Sequence, residues 1–259
     1  MNNPTSPDPF DFAKEVEEAV NLLQRSLHEL PSPLSDLVLA EKASASPPVR
    51  IGVVLAFGVG EPDTLTLREQ RIYLAVALEI LYIALQVHKL LFIGAEDGDD
   101  GPDKSLVGST ILAGDYCFSR SAQLAAQTNS PRAVDIFAGA LRDVSEVHLR
   151  RMFSQSSPAV GSNAQEGDLV AADDADDNQL LFRSGIRAVG VLAGHGDQQT
   201  AAALACGADL AAALQTIPGS AASLTSLRFT EEVKKLTQPQ QLRWRQLVEW
   251  LATPHLPTK

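Results

Sequence analysis

The sequence predicts a single all-α domain, on three observations. Apolar residues recur at three- and four-residue steps through most of the chain. Strand-like alternation of apolar and polar residues is nowhere convincing. Connectors rich in Pro, Gly and Ser separate the periodic segments. A chain of 259 residues, 45% apolar, is long enough to bury one large core without disulfide or metal support.

Residues 1–10 read as a disordered tail, and 11–259 as one helical domain. Asp11–Leu30 places Phe12, Val16, Ala19, Leu23 and Leu27 on one face, with Glu15, Glu17 and Glu18 near its start. Pro31 and Pro33 stop it. Ser44–Pro48 is a connector, and Val49–Phe57 is apolar enough for a short strand or a helix. Thr66–Ile93 reads as one long helix, with Thr64 or Thr66 as N-cap and Gly94 beyond its end. After the acidic loop Glu96–Asp103 come helices over Lys104–Gln127 and Ser130–Phe153, the latter opened by Pro131. Ser154–Asp174 is polar and aperiodic, so a flexible acidic surface loop is expected there. Asp176–Ala193 and Asp197–Thr216 resume the helical pattern, and Pro218-Gly219-Ser220 interrupts it. Phe229–Leu236 and Gln238–Ala252 complete a bundle of about eight or nine helices.

Composition excludes several classes of partner. A net charge of -11 opposes binding to nucleic acid or anionic membranes. Cys117 and Cys206 lie in apolar segments without metal or disulfide spacing, which suits a reducing, cytoplasmic setting. MNNPTSPDPF has no basic region followed by an apolar core, so no export signal is expected. Ile72–Ile93 is long enough to span a membrane but carries Glu79, Gln86, His88 and Lys89. Charges at mid-bilayer cost several kcal/mol each, so a buried helix and no membrane span are expected.

Residues 106–126, LVGSTILAGDYCFSRSAQLAA, hold the most specific pattern in the chain. They resemble the helix after the first aspartate-rich motif of the trans-isoprenyl diphosphate synthase (polyprenyl synthetase) family. Weaker matches run from about Val49 to Gln215. The resemblance implies the isoprenoid synthase-type helical bundle as a single domain. It also implies dimers, formed through Leu106–Ala126 and Pro131–Phe153. Family members join isopentenyl diphosphate to an allylic diphosphate, and magnesium ions neutralise the departing diphosphate. Two DDxxD motifs on facing helices supply the oxygen ligands that such hard cations require.

At the corresponding positions this sequence lacks those ligands. Counting back from Gly114-Asp115 lands on His88-Lys89-Leu90-Leu91-Phe92-Ile93. The family's histidine is present, but Lys89, Leu90 and Ile93 replace three aspartates. Gly207–Gln215 resembles the context of the second motif, and Pro218-Gly219-Ser220-Ala221-Ala222 follows it without an aspartate. The family's GKRxRP segment falls on Ser46–Ile51 and keeps only Arg50. Its diphosphate-binding Lys-Thr pair falls on Asp177-Asn178, ahead of Leu181-Phe182. Its GExxQ motif falls on Val147–Arg151, and its paired arginines have no counterpart.

Two acidic clusters spell DDxxD elsewhere. In Asp99-Asp100-Gly101-Pro102-Asp103, within 96–103, Gly101 and Pro102 oppose the helical turn that would align carboxylates. Asp173-Asp174-Ala175-Asp176-Asp177 reads as a helix cap at the loop junction. His88 reads as a core helix residue, and Asp115 as a helix-surface or interhelix residue. His148 and His195 lack neighbours at zinc-ligand spacing. No GxGxxG or GxSxG site appears.

These departures select a non-catalytic homologue. No catalytic, cofactor-binding or metal-binding residue is assigned, and no cofactor is expected. The implied role is a regulatory or stabilising subunit of a heteromeric prenyl diphosphate synthase, as homodimer or heterodimer with a catalytic subunit. Two alternatives stay open. One is an active Mg2+-dependent prenyltransferase that uses the displaced acidic clusters. The other is an isoprenoid- or lipid-binding protein without turnover, since Leu90 and Ile93 make the old cavity more apolar.

Overall fold

The structure is a computed structural model that describes residues 11–32, 34–36, 38–39, 47–93, 104–155, 166–216 and 221–253. The expected tail at 1–10, the acidic cluster at 96–103 and the Pro218-Gly219-Ser220 break lie outside the described residues. Among the described residues the chain is helical, without a strand.

Helix α1 (Phe12–His28) starts where the Asp11 carboxylate accepts the Ala13 amide at 2.8 Å, capping it. Helix α2 (Val49–Phe57) settles the strand-or-helix ambiguity: all nine residues are buried. A segment surrounded by protein shows no amphipathic period, so its sequence could not decide between the two. Helix α3 (Leu65–Ile93) opens with Thr64 Oγ1 accepting from the Leu67 amide at 3.1 Å. Thr64 is therefore the cap, and Thr66 is not.

Helix α3 is the axis of the bundle, buried without interruption from Leu74 to Val87. It packs along α4 (Lys104–Ala126) and also meets α1, α2 and α6. Its most apolar stretch, Leu65–Leu90, meets the length and hydropathy of a membrane span, yet 83% of that window is buried inside the fold. The helix is apolar on every side because protein surrounds it.

A tight turn at Asn129, whose φ of 51° suits an asparagine, leads into α5 (Pro131–Gln155). Helix α6 (Glu166–Ala193) packs against α5, α2 and α3. It corrects the flexible-loop reading of 154–174: Ser154 and Gln155 finish α5, 166–174 are helical, and 156–165 lie outside the described residues. Asp173–Asp177 thus fall inside a helix rather than capping one. Alanine is the strongest helix former, and aspartates favour the positive end of the dipole. The same composition that suggested a loop therefore suits the first turns of a helix.

Helix α6 ends at Gly194, whose φ of 69° suits its lack of a side chain. Helix α7 (Asp197–Thr216) follows. A short helix α8 (Ala221–Ser226) runs into a 3-10 turn (Leu227–Phe229), and the expected Phe229–Leu236 helix shortens to the single turn α9 (Glu231–Lys234). Helix α10 (Gln238–Ala252) begins with a capping box between Thr237 and Gln240 and packs on α2.

A buried ionic cluster ties both ends of the chain to the axis. Glu15 of α1 is fully buried and accepts from Arg71 of α3 and Arg243 of α10. Asp63 takes the other side of Arg71. Burial alone would raise the Glu15 carboxyl, but hydrogen bonds and charge from Arg243 and Arg71 outweigh it and hold the group below the ordinary range. His195, between α6 and α7, lies with Nε2 3.0 Å from the Val59 carbonyl and Nδ1 3.5 Å from Gln240 Nε2. Its role is to join segments.

Cys117 and Cys206 are free and fully buried. Burial pushes each thiol up to about 12, helped at Cys206 by the charges of Asp209 and Glu232. Thiolate is the reactive form, so neither cysteine should react with a disulfide reagent in the native protein. Both should react once guanidinium unfolds it. Prompt labelling of the native chain would contradict this burial.

Candidate functional site

The residues singled out in the sequence converge where α2, α3 and α6 meet. Arg50 sits at the start of α2 and is 3% exposed. Its Nε donates to Glu79 Oε2 at 3.0 Å and its Nη2 to Glu79 Oε1 at 2.8 Å, a bidentate pair across to α3. Its Nη1 donates to Asn178 Oδ1 of α6, and its guanidinium carbon lies 3.5 Å from the Tyr82 ring centre. Arg50 is thus engaged on every edge and on one face.

Lys89 projects from the last turns of α3, and its Nζ lies 3.0 Å from Asp177 Oδ2 of α6. Asp177 is fully buried, and the Lys89 side chain is only 15% exposed. The resemblance places the first aspartate of a metal-binding motif at Lys89 and a diphosphate-binding lysine at Asp177. Both charges are inverted, and the two inverted residues meet. Asn178, at the threonine of the same pair, holds Arg50.

Between α3 and α4, His88 and the Gly114-Asp115 pair are neighbours. A side chain at Gly114 would come within 2.1 Å of His88 Nε2, so only glycine allows this approach of the two helices. The imidazole packs on Phe118 with ring centres 5.1 Å apart, and its Nε2 stands 3.7 Å from Asp115 Oδ1. That distance exceeds a hydrogen bond, and the buried Nε2 makes none. The half-buried histidine fills the interhelical seam, and Asp115 is exposed beside it.

The described donor set does not fit magnesium. A hard divalent cation wants several carboxylate or carbonyl oxygens, whereas the first motif's positions present an ammonium group at Lys89 and an alkyl chain at Leu90. Among the described residues, no group of three His, Cys, Asp or Glu side chains gathers to hold a metal ion. In the 173–177 cluster only the Asp177 side chain is described, and it is committed to Lys89. The side chains of Ile93, His148 and Ala221-Ala222 lie outside the described residues.

Two surface cavities, of about 350 and 390 Å3, open elsewhere. One lies between α5 and α6; the other is ringed by the starts of α1 and α10 and the segment before α3. Neither is lined by Arg50, Lys89 or Asp177.

Glu79 was visible in the sequence only as a charge that argued against a membrane span. Its pairing with Arg50 had one signal: each is a lone charge in an apolar run, and buried charges need partners.

Neither a protein-family model nor a curated protein matches the sequence. Solved structures do match it. A decaprenyl diphosphate synthase from Rhodobacter capsulatus superposes with a TM-score of 0.64 at 16% identity, covering 93% of this chain and 96% of that one. The chain has the prenyl diphosphate synthase fold. A geranylgeranyl pyrophosphate synthase from Corynebacterium glutamicum, solved with calcium and isoprenyl diphosphate, gives 0.60 at 16% identity, covering 95% and 98%. A deletion mutant of the heterotetrameric geranyl pyrophosphate synthase of mint gives 0.58 at 15% identity, covering 92% and 98%. At these identities the likeness is one of fold. The all-α isoprenoid synthase-type bundle expected from residues 106–126 is therefore correct.

Proposed function

We propose that this chain is a non-catalytic member of the polyprenyl synthetase family, a regulatory or stabilising subunit of a heteromeric prenyl diphosphate synthase. The observation that carries the proposal is the Lys89–Asp177 pair. A catalytic member would present a carboxylate and an ammonium to magnesium and diphosphate at these positions. Here the same two helices present the opposite charges to each other. Arg50, the surviving basic residue, is likewise held by Glu79 and Asn178. Ionisation of an allylic diphosphate needs concentrated positive charge at the leaving group. Among the described residues singled out in the sequence, Arg50 and Lys89 are both committed to other partners.

The partner role draws on two further observations. The mint neighbour is heterotetrameric, so this fold occurs in mixed assemblies. Ile111 and Leu112 on α4 and Leu149 on α5 are exposed large apolar side chains on the two helices named for pairing. Homodimers or heterodimers would form there, in the cytoplasm beside the catalytic subunit.

The test is prenyl transfer from labelled isopentenyl diphosphate with magnesium. The protein is assayed alone and then mixed with the active synthase from the same source. We expect no product alone and a changed rate or chain length in the mixture. Product from this chain alone would overturn the proposal in favour of an active transferase using the displaced acidic clusters. No effect in either assay would reject the subunit role and favour the isoprenoid-binding reading.

A further inference from the structure

The outer groove between α5 and α6 has a chemistry that the proposed subunit role leaves unused. It encloses about 350 Å3, and Arg142, Asp143, Arg183, Ser184 and Arg187 are among its lining residues. Arg183 and Arg187 are four residues apart on α6, so both project from one face, and Ser184 lies beside them. Ser184 is only 8% exposed and lines the groove. Opposite, the small residues Ala138, Gly139 and Ala140 of α5 leave the groove open.

Its charges are only partly used. Arg142 is satisfied by Asp143, with Nη2 3.1 Å from Oδ1. Arg183 reaches the other oxygen of Asp143 only at 3.9 Å, too long for a hydrogen bond. Arg187 has no ion-pair partner among the described residues. Asp135 also lines the groove, yet guanidinium groups still outnumber carboxylates, on a chain whose net charge is -11. A local positive excess on an acidic protein attracts anions selectively.

We infer that this groove binds a small phosphate-type oxyanion, separately from the charge-inverted end of the bundle. Arg183 and Arg187 supply the forked donors that match tetrahedral phosphate oxygens, and the Ser184 hydroxyl supplies a third donor from the floor. The cavity accommodates one phosphate or a diphosphate group. The inference stands whether or not the chain acts as a synthase subunit.

Calorimetric titration of the full chain with inorganic phosphate, pyrophosphate and citrate tests it. Pyrophosphate should bind saturably and more tightly than citrate. Arg187→Ala should weaken it roughly tenfold or more, the loss of one charge-assisted hydrogen bond. Ser184→Ala should weaken it several-fold. Arg245→Ala, which removes the same charge from an exposed position on α10, should leave it unchanged. The inference fails if no phosphate species saturates, if citrate binds more tightly, or if Arg245→Ala matches Arg187→Ala.

Discussion

Replacing Glu15 with glutamine should cost about 3–5 kcal/mol of folding stability, the range for breaking a buried ion pair from one side. Glu15 is fully buried and takes both guanidiniums of Arg71 and Arg243 on its two oxygens. Glutamine keeps the shape but removes the charge. It also turns an NH2 group toward donors, leaving two buried cations held mainly by Asp63, which lies 4.0 Å from Arg243. The loss is amplified because the cluster joins α1, α3 and α10, elements from both ends of the chain.

The pH dependence carries a signature of the same group. The Glu15 carboxyl is held below its ordinary value of 4.5 in the folded state. The unfolded chain therefore takes up this proton first, as pH falls. Glu15's contribution is complete above 4.5 and is lost as pH falls through the lower folded value. Urea unfolding at neutral pH and at successive steps below 4.5 should show the wild type losing stability more steeply than Glu15→Gln. A cost below about 1 kcal/mol, within the range of exposed pairs, would mean that the cluster is solvated.

How much of this was legible in the sequence depends on the range of the interaction. Local signals served well: Asp197–Thr216 and Gln238–Ala252 have the bounds that periodicity predicts, and Thr64 caps as its position suggests. Segments without amphipathic contrast were harder. The run at 49–57 has no polar face because every residue is buried, and 166–174 hides a helix behind a polar, Asp-rich composition. Gly114 was legible as half of a GD pair, but its reason, the His88 ring against its backbone, requires two helices in register. At the candidate site the inverted charges were each readable by position. Their meeting was not, because Lys89 and Asp177 lie on helices separated by two others, and no local pattern encodes that distance.

That meeting gives the second large effect. Lys89→Ala should destabilise the fold by about 3 kcal/mol, because the buried Asp177 carboxylate then loses the cation paired with it. Asp177→Ala should cost less, since the Lys89 side chain is 15% exposed and its ammonium can reach water. A double-mutant cycle of the two should give a coupling energy of about 1–3 kcal/mol, the range for residues in direct contact. The exchange Lys89→Asp with Asp177→Lys should recover part of the loss. It returns an opposite-charge pair to the same two helices in the polarity that the family resemblance assigns to an enzyme. Lys89→Asp alone should be the least stable of the set, because it faces one carboxylate with another. The cycle is read by urea unfolding at neutral pH, and magnesium with pyrophosphate can then be added to each variant. Wild type should gain no stability through this site, because its ammonium and carboxylate already neutralise each other. If Lys89→Ala were neutral and the coupling absent, the pair would not hold α3 to α6. The proposal of a non-catalytic subunit would then lose the observation that carries it.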